Sequence, residues 1–240
     1  MSAITVSGLR KEYGRVVAVH EVSFSVEPGE LVALIGHNGA GKSTTIKMLT
    51  GQLLPTAGSV HLAGVDVVKQ PGEAREKLGY VPEDPHLYDY LSCREFLELV
   101  ASLRGQAEID HALELAGLGE DADRLIREYS QGMRRRTALA AAVVGKPPVL
   151  VLDEALNGLD PPSASRVKAG LRGLCDGGCA VLLSTHVLDT VERLADRVIM
   201  LAHGRVVADE RVSEIGSEGL ERLFLERIGA SHQAGPGAGA

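Results

Sequence analysis

Cysteine is scarce in this sequence, and the few cysteines present are not paired. Cys93, Cys175 and Cys179 are the three cysteines among 240 residues, and no two of them have CxxC spacing. An odd number of unpaired cysteines argues against a disulfide framework and against a structural zinc site. Because such usage is typical of reducing compartments, we expect a cytoplasmic protein.

Long hydrophobic runs are also missing. The longest apolar segments, such as Ala138–Val144 and Val149–Leu152, are far shorter than the roughly 18 residues of a membrane-spanning helix. The N-terminus has no basic stretch followed by an apolar one, so no signal peptide is expected. The sequence therefore predicts a soluble chain that works at a membrane only through a partner.

Positive charge is not in excess either. The chain has 25 Lys and Arg residues against 32 Asp and Glu residues, a formal net charge of -7. This balance argues against a duplex DNA-binding protein, which needs a basic surface. We interpret the run Arg134–Arg136 as a solvated face with a positive field, not as a nucleic-acid site.

The hydrophobic patterns predict an α/β fold. Hydrophobic residues make up 45% and charged residues 24%, which excludes bulk disorder and permits one large domain. Apolar residues alternate between Val17 and Val26, which predicts an N-terminal antiparallel β subdomain. Leu31–Ile35 and Val149–Leu152 are continuous apolar runs, typical of strands buried on both faces of a mainly parallel sheet with flanking helices.

Two further segments complete the predicted organisation. Residues 92 to about 144 have apolar positions at helical spacing, which indicates a helical insertion within a single domain over residues 1–230. A last amphipathic helix is expected over about Leu220–Ile228. The low-complexity tail Ser231–Ala240 is expected to be disordered.

A glycine-rich loop predicts a phosphate-binding site. The segment fits G-x-x-x-x-G-K-[ST] and consists of Gly36, His37, Asn38, Gly39, Ala40, Gly41, Lys42 and Ser43. It follows a buried strand and precedes a helix, so its backbone N–H groups can surround a phosphate. Lys42 would reach the β- and γ-phosphates, and the Ser43 hydroxyl would bind Mg²⁺. We include the next residue, Thr44, among the nucleotide-binding residues.

A pair of carboxylates ends the second buried strand. Asp153 and Glu154 follow Val149–Leu152, and ligands of open α/β sheets bind at the carboxyl ends of strands. We expect Asp153 to hold Mg²⁺ directly or through water, and Glu154 to polarise an attacking water.

Together with three further segments, these motifs resemble the ATP-binding subunit of an ABC transporter of the exporter type. Tyr129–Met133 resembles the signature motif LSGGQ, Leu156–Asp160 resembles the D-loop, and His186 resembles the switch histidine. The resemblance extends from about residue 3 to residue 210. It implies ATP hydrolysis with ATP and Mg²⁺ at the site, and catalytic roles for Glu154 and His186.

The resemblance also implies contacts beyond the phosphate loop. Tyr13 occupies the position of the aromatic residue that stacks on adenine, and Glu83 occupies the position of the Q-loop glutamine near Mg²⁺. The residues expected to contact the ATP or loop of a second ATPase subunit, identical or paralogous, are Ser130, Gln131, Gly132 and Asp160. The implied partner is an integral membrane permease at the inner face of the cell membrane, with no nucleic acid involved.

The chain departs from the family pattern at two places. Tyr129, Gln131 and Met133 replace the usual signature residues, while Ser130 and Gly132 remain. Glu83 replaces a glutamine, and a carboxylate accepts hydrogen bonds but donates none. Three explanations are open: a native variant, which we favour, a slower ATPase, or a Glu83 carboxyl with a raised pKa.

The resemblance implies that the segment around Glu83 contacts the membrane permease. Tyr80, Tyr88 and Tyr90 are close to it in sequence, and tyrosine is enriched at protein interfaces. Ordinary core packing is the alternative for any one of these tyrosines.

Two other functions compete with the transport subunit. An ABC-type ATPase that acts on ribosomes or DNA usually has two cassettes, coiled coils or basic extensions, none of which is evident here. A nucleotide-binding regulator without hydrolysis is disfavoured by Asp153, Glu154 and His186, although Glu83 and the altered signature leave it open.

Overall fold

The computed structural model describes residues 1–215 and 219–233 and consists of two β-sheets with flanking helices. The strands are β1 (Ile4–Tyr13), β2 (Val16–Val26), β3 (Leu31–Ile35), β4 (Ala57–Leu62), β5 (Val65–Asp66), β6 (Leu78–Val81), β7 (Val149–Asp153), β8 (Ala180–Ser184), β9 (Arg197–Ala202) and β10 (Arg205–Arg211). The helices are α1 (Lys42–Leu49), α2 (Pro71–Glu76), α3 (Cys93–Leu103), α4 (Asp110–Ala116), α5 (Gln131–Val143), α6 (Pro161–Asp176), α7 (Leu188–Leu194) and α8 (Gly219–Gln233).

The smaller sheet is antiparallel and has the strand order β2-β1-β4-β5. Its buried face carries the alternating apolar residues of β2, including Val22 and Val26. The predicted N-terminal antiparallel subdomain is confirmed. Strand β5 forms one edge of this sheet and has two residues, too few for hydrophobic alternation to predict a strand.

The larger sheet has the order β10-β9-β3-β8-β7-β6. Five neighbouring strands, from β9 to β6, are parallel, and β10 pairs antiparallel with β9 at the edge. All residues of β3, β7 and β8 are buried, as expected for strands that are covered on both faces. The predicted α/β class with a mainly parallel sheet is therefore confirmed.

Three helices between β6 and β7 form the helical region that the sequence pattern predicts. Helix α3 begins with a capping box, because the Ser92 side chain accepts from the Glu95 N–H and the Glu95 carboxylate accepts from the Ser92 N–H. Leu97 of α3 and Leu139 of α5 are fully buried in a shared core. The Tyr129 hydroxyl donates to the Asp121 carbonyl oxygen over 2.6 Å, which fixes the segment before α5.

The C-terminal helix is longer than the predicted Leu220–Ile228. Helix α8 runs from Gly219 to Gln233 and therefore includes the first three residues of the predicted disordered tail. Residues 234–240 of that tail lie outside the described residues. In the described part of the chain, none of the helices combines the length and apolar character needed to cross a membrane.

The sheet order brings the predicted motifs to one edge. Strands β3, β8 and β7 are neighbours, and Asp153 pairs in register with Ser184. Because these strands are parallel, the phosphate loop after β3, Glu154 after β7 and His186 after β8 all follow the same carboxyl edge.

Candidate functional site

The phosphate loop, defined as Gly36–Ser43, leads from β3 into the first turn of α1. Gly36 and Ala40 are buried, Asn38 and Ser43 are exposed, and Thr44 is half-buried. The His37 ring lies 5.2 Å from the ring of His203, centroid to centroid. The turn between β9 and β10 also contacts this loop, because the Gly204 N–H donates to the Ala40 carbonyl over 2.9 Å.

Two glycines of this loop are required by their surroundings. A Cβ atom at Gly36 would overlap the carbonyl oxygen of Leu201. Gly41 has a φ of +101°, and a Cβ there would lie 2.9 Å from the Ala18 carbonyl oxygen. Only glycine satisfies both the left-handed backbone and the close approach of the neighbouring strand.

Lys42 lies across the loop. Its Nζ donates to the Gly36 carbonyl over 2.7 Å and approaches the His37 carbonyl at 3.3 Å, and the residue is buried. Burial lowers the pKa of Lys42, while the negative charges of Glu154, Asp153 and Glu83 oppose that shift. Because the Lys42 ammonium donates to backbone carbonyls of a loop with exposed residues, it is available to bind a phosphate.

Asp153 ends β7 inside the site. Burial raises the pKa of the Asp153 carboxyl, and the negative charges of Glu83 and Glu154 raise it further. The hydrogen bond with the Ser184 hydroxyl and the positive charge of Lys42 lower this pKa. The charges of Asp153, Glu154 and Glu83 therefore act on one another and on Lys42, so this edge of the sheet favours cations.

Glu154 has two side-chain partners. Its Oε2 accepts from Asn157 Nδ2 over 2.8 Å and lies 3.1 Å from Nδ1 of His186. The Glu154 N–H donates to the Ser184 carbonyl over 3.0 Å, which joins the ends of β7 and β8. The two residues proposed for catalysis are thus brought into contact. The Asn157 interaction was not predicted, although an amide three residues after an acidic residue in a turn is a recognisable signal.

The exposed Glu83 follows β6, and its charge acts on both Lys42 and Asp153. We expect Glu83→Gln to keep or modestly raise ATP hydrolysis, because it removes a negative charge beside a triphosphate and retains an acceptor oxygen. Steady-state phosphate release measures this, with Glu98→Gln on the exposed face of α3 as a control. A loss above about tenfold, or about 1.4 kcal/mol of activation free energy, would show a specific role for the carboxylate.

Tyr13 lies at the end of β1, opposite Val16 of β2. The residue is 50% exposed, and the Lys11 Nζ lies 5.3 Å from its ring centroid. The same hairpin approaches the phosphate loop, since the Ala18 carbonyl faces Gly41. An exposed ring can stack on a base, and the adenine contact of Tyr13 stays a prediction.

The signature segment, Tyr129–Met133, opens helix α5. The Ser130 hydroxyl caps the helix by accepting from the Met133 N–H over 3.3 Å, as expected from the sequence, and Gln131 is exposed. A Cβ atom built at Gly132 would lie 3.9 Å from the Gly158 carbonyl oxygen and 4.0 Å from Ser130 Oγ. The signature segment therefore lies beside Gly158 of the D-loop segment.

Asp160 caps helix α6. Its carboxylate accepts from the Ser163 N–H over 3.1 Å, and the Ser163 interactions lower the pKa of the Asp160 carboxyl. The contact of Asp160 with a second subunit stays a prediction.

The interpretation of the three consecutive arginines as a solvated face was wrong. Arg134, Arg135 and Arg136 are half-buried, and each donates to backbone carbonyl oxygens of other segments. Arginine carries five fixed donors, so it suits such capping of carbonyls. A run of like charges does not reveal these partners because they are distant in sequence.

The three tyrosines near Glu83 separate into two groups. Tyr80 packs against the core, and its burial raises the pKa of its hydroxyl. Tyr88 and Tyr90 are 62% and 78% exposed, with the Arg127 guanidinium 5.7 Å from the Tyr90 ring centroid. Only the latter two are available to a partner.

Comparison with known proteins agrees with this geometry. The family described as ABC transporter matches residues 19–157. The daunorubicin/doxorubicin resistance ATP-binding protein DrrA of Streptomyces peucetius is 39% identical over 221 residues, which are 90% of this chain and 67% of that protein. The Nod factor export ATP-binding protein I of Paraburkholderia xenovorans (strain LB400) is 37% identical over 246 residues, covering 98% of this chain and 81% of that protein.

A solved structure, described as that of an ATP-binding subunit of an ABC transporter, has the same fold. It matches with a TM-score of 0.87 and 32% sequence identity, covering 94% of this chain and 99% of the other.

Proposed function

Since this chain belongs to the ABC transporter family, in which it is an ATP-binding and ATP-hydrolysing subunit, we propose that it powers a separate membrane permease that exports its cargo. The observation that carries the proposal is the arrangement of Lys42, Glu154 and His186 at one edge of the sheet. A phosphate-binding lysine and a carboxylate that can orient water are the groups that phosphoryl transfer to water requires.

The chain's own residues divide the work of hydrolysis. The loop N–H groups and Lys42 bind the phosphates and stabilise the charge that develops in the transition state. Glu154 accepts a hydrogen bond from the attacking water and aligns it with the γ-phosphorus. His186, 3.1 Å from Glu154, limits the movement of that carboxylate and can donate to a γ-phosphate oxygen.

The residues present fit Mg²⁺. The charges of Glu83 and Glu154 help to raise the pKa of the buried Asp153, so a divalent cation would relieve a repulsion that exists in this chain. Within residues 1–215 and 219–233, the His, Cys, Asp and Glu side chains form no group of three or more that could hold a metal ion. Mg²⁺ at phosphate-transfer sites is usually bound by one or two carboxylates together with phosphates and water. Ser43, Asp153 and Glu83 would hold Mg²⁺, which supplies charge neutralisation at the phosphates when bound.

We further propose that two ATPase subunits enclose ATP head to tail. The Ser130 cap and the N-terminus of α5 form an anion-binding end of a 13-residue helix. Ser130 and Gln131 are exposed and Gly132 is half-buried, so a ligand held by another subunit could reach that end. ATP would join the two subunits, and hydrolysis would separate them.

The relatives support coupling to export. One is described as a resistance protein and another as an export protein, and both are ATP-binding proteins. Tyr88 and Tyr90, which follow Glu83 closely in sequence, provide exposed aromatic side chains suited to contact with a short helix of a permease. The chain would then be located at the inner face of the cell membrane, held there by this partner.

Copurification tests the proposal. A tagged full-length chain, expressed in the organism it comes from and purified from detergent-solubilised membranes, should bring a stoichiometric polytopic membrane protein, which mass spectrometry identifies. Recovery of only soluble partners, such as ribosomal proteins, would contradict the transport function and favour the rival functions.

A further inference from the structure

A short turn after β7 helps to orient the Glu154 carboxylate, which His186 also contacts. The Asn157 N–H donates to the Glu154 carbonyl over 3.2 Å, and Asn157 Nδ2 donates to Glu154 Oε2 over 2.8 Å. Both the main chain and the side chain of Glu154 are therefore held from within the same four residues.

The backbone of Glu154 is strained. Its φ is +51°, in the left-handed region that a residue with a Cβ atom seldom occupies. Such a conformation is energetically unfavourable, and it persists only when surrounding contacts hold it in place. The hydrogen bonds of Asn157 supply part of this restraint, but they belong to the same turn and would be lost together with it.

Arg135 supplies a restraint from outside the turn. Its Nη1 donates to the Glu154 carbonyl oxygen over 3.1 Å and also to the Asn157 carbonyl oxygen. The guanidinium thus binds the first and last carbonyls of the turn. Arg135 belongs to α5, the helix that Ser130 caps, so its position does not depend on the turn itself.

We propose that Arg135 is a positioning residue for ATP hydrolysis: by holding both carbonyls of the Glu154–Asn157 turn, it aims the Glu154 carboxylate at the attacking water. This inference rests on the proposed function, in which Glu154 orients that water. Misplacement of a reacting group by about 1 Å can reduce turnover by up to about 100-fold. Arg135 therefore acts through Glu154 and leaves nucleotide binding to the phosphate loop.

The chain contains a matched control for this residue. Arg136 lies on the same helix, is half-buried to a similar degree, and its Nη1 donates to the Ala116 and Gly117 carbonyl oxygens over 2.9 Å each. Its partners terminate α4 in the helical region. Arg135→Gln and Arg136→Gln thus remove the same kind of contact, at the turn in one case and at α4 in the other.

The experiment compares these variants in the full-length chain. Turnover is measured from phosphate release at saturating MgATP, and ATP affinity is measured with a fluorescent ATP analogue. We expect Arg135→Gln to lower kcat at least about tenfold, with ATP affinity within about twofold of wild type. Arg136→Gln should keep kcat within about twofold, although its melting temperature should fall by as much as that of Arg135→Gln.

A second readout separates positioning from general damage. In single-turnover measurements, adding Arg135→Gln to Glu154→Gln should change the residual rate by less than about twofold, because a residue that acts through Glu154 has no effect once that carboxylate is gone. An additive loss in the double variant would contradict the inference.

The remaining outcomes are equally decisive. With an active wild type, equal kcat values for Arg135→Gln and Arg136→Gln would overturn the inference and leave the proposed function standing. The same holds if Arg135→Gln loses ATP affinity by as large a factor as it loses kcat. No phosphate release by the wild-type chain itself would overturn the proposed function and the inference together.

Discussion

Glu154→Gln lowers ATP turnover at least about 100-fold and leaves ATP binding intact, because glutamine keeps the length of the side chain and loses the basicity that orients the water. Glutamine still offers an oxygen to Asn157 Nδ2, which contacts Glu154 Oε2 over 2.8 Å in this structure. The turn is therefore expected to persist, and the effect should appear in kcat. Steady-state phosphate release and equilibrium binding of ATP measure the two quantities.

The control for this variant is Glu98→Gln, which makes the same chemical change on the exposed face of α3. It should retain wild-type turnover within about twofold, since exposed substitutions away from a site have small effects. Turnover of Glu154→Gln within a few-fold of this control would exclude Glu154 as the residue that aligns the water.

Lys42→Ala weakens ATP binding by about 100-fold or more. A hydrogen bond to a charged group contributes about 1.5–3 kcal/mol, and the ammonium can donate to more than one phosphate oxygen. Its Nζ donates to the Gly36 carbonyl over 2.7 Å, so the ammonium is already located in the loop that would receive the phosphates. The Kd for ATP, measured by calorimetry, reports the loss.

Lys47→Ala is the matched control for that variant, because Lys47 is an exposed lysine on the same helix, α1. Its Kd should differ from that of wild type by less than about twofold, while Lys42→Ala should bind too weakly for turnover at ordinary ATP concentrations. Equal Kd values for the two variants would show that the loop binds phosphate through its backbone alone.

Much of the fold follows from the sequence because its signals are local. Leu31–Ile35 and Val149–Leu152 are apolar runs of strand length, and both lie in strands. Helix α6 begins at Pro161, as proline at a first helical position indicates. The pairing order of the strands cannot be predicted from local signals, because β3 lies between β8 and β9, two strands that come about 150 residues later in the chain.

The residues of the site also differ in whether local sequence signals identify them. The phosphate loop and the Asp153–Glu154 pair are contiguous motifs, so their residues can be identified from the order of amino acids alone. The role of Arg135 cannot be predicted in this way, because its partners are carbonyl oxygens about 20 residues away. Every residue has a backbone carbonyl, so the sequence does not indicate which one an arginine binds. The left-handed backbone of Glu154, with a φ of +51°, is likewise not indicated by its residue type.

Nucleotide-driven dimerisation can be measured as the mass of Glu154→Gln in solution, by light scattering with and without ATP. A variant that binds ATP but hydrolyses it slowly should accumulate the closed form in which two subunits enclose the nucleotide. We predict a monomer of 25.4 kDa without ATP and twice that mass with saturating MgATP. A chain that remains monomeric at saturating MgATP would contradict the enclosure of ATP between two subunits.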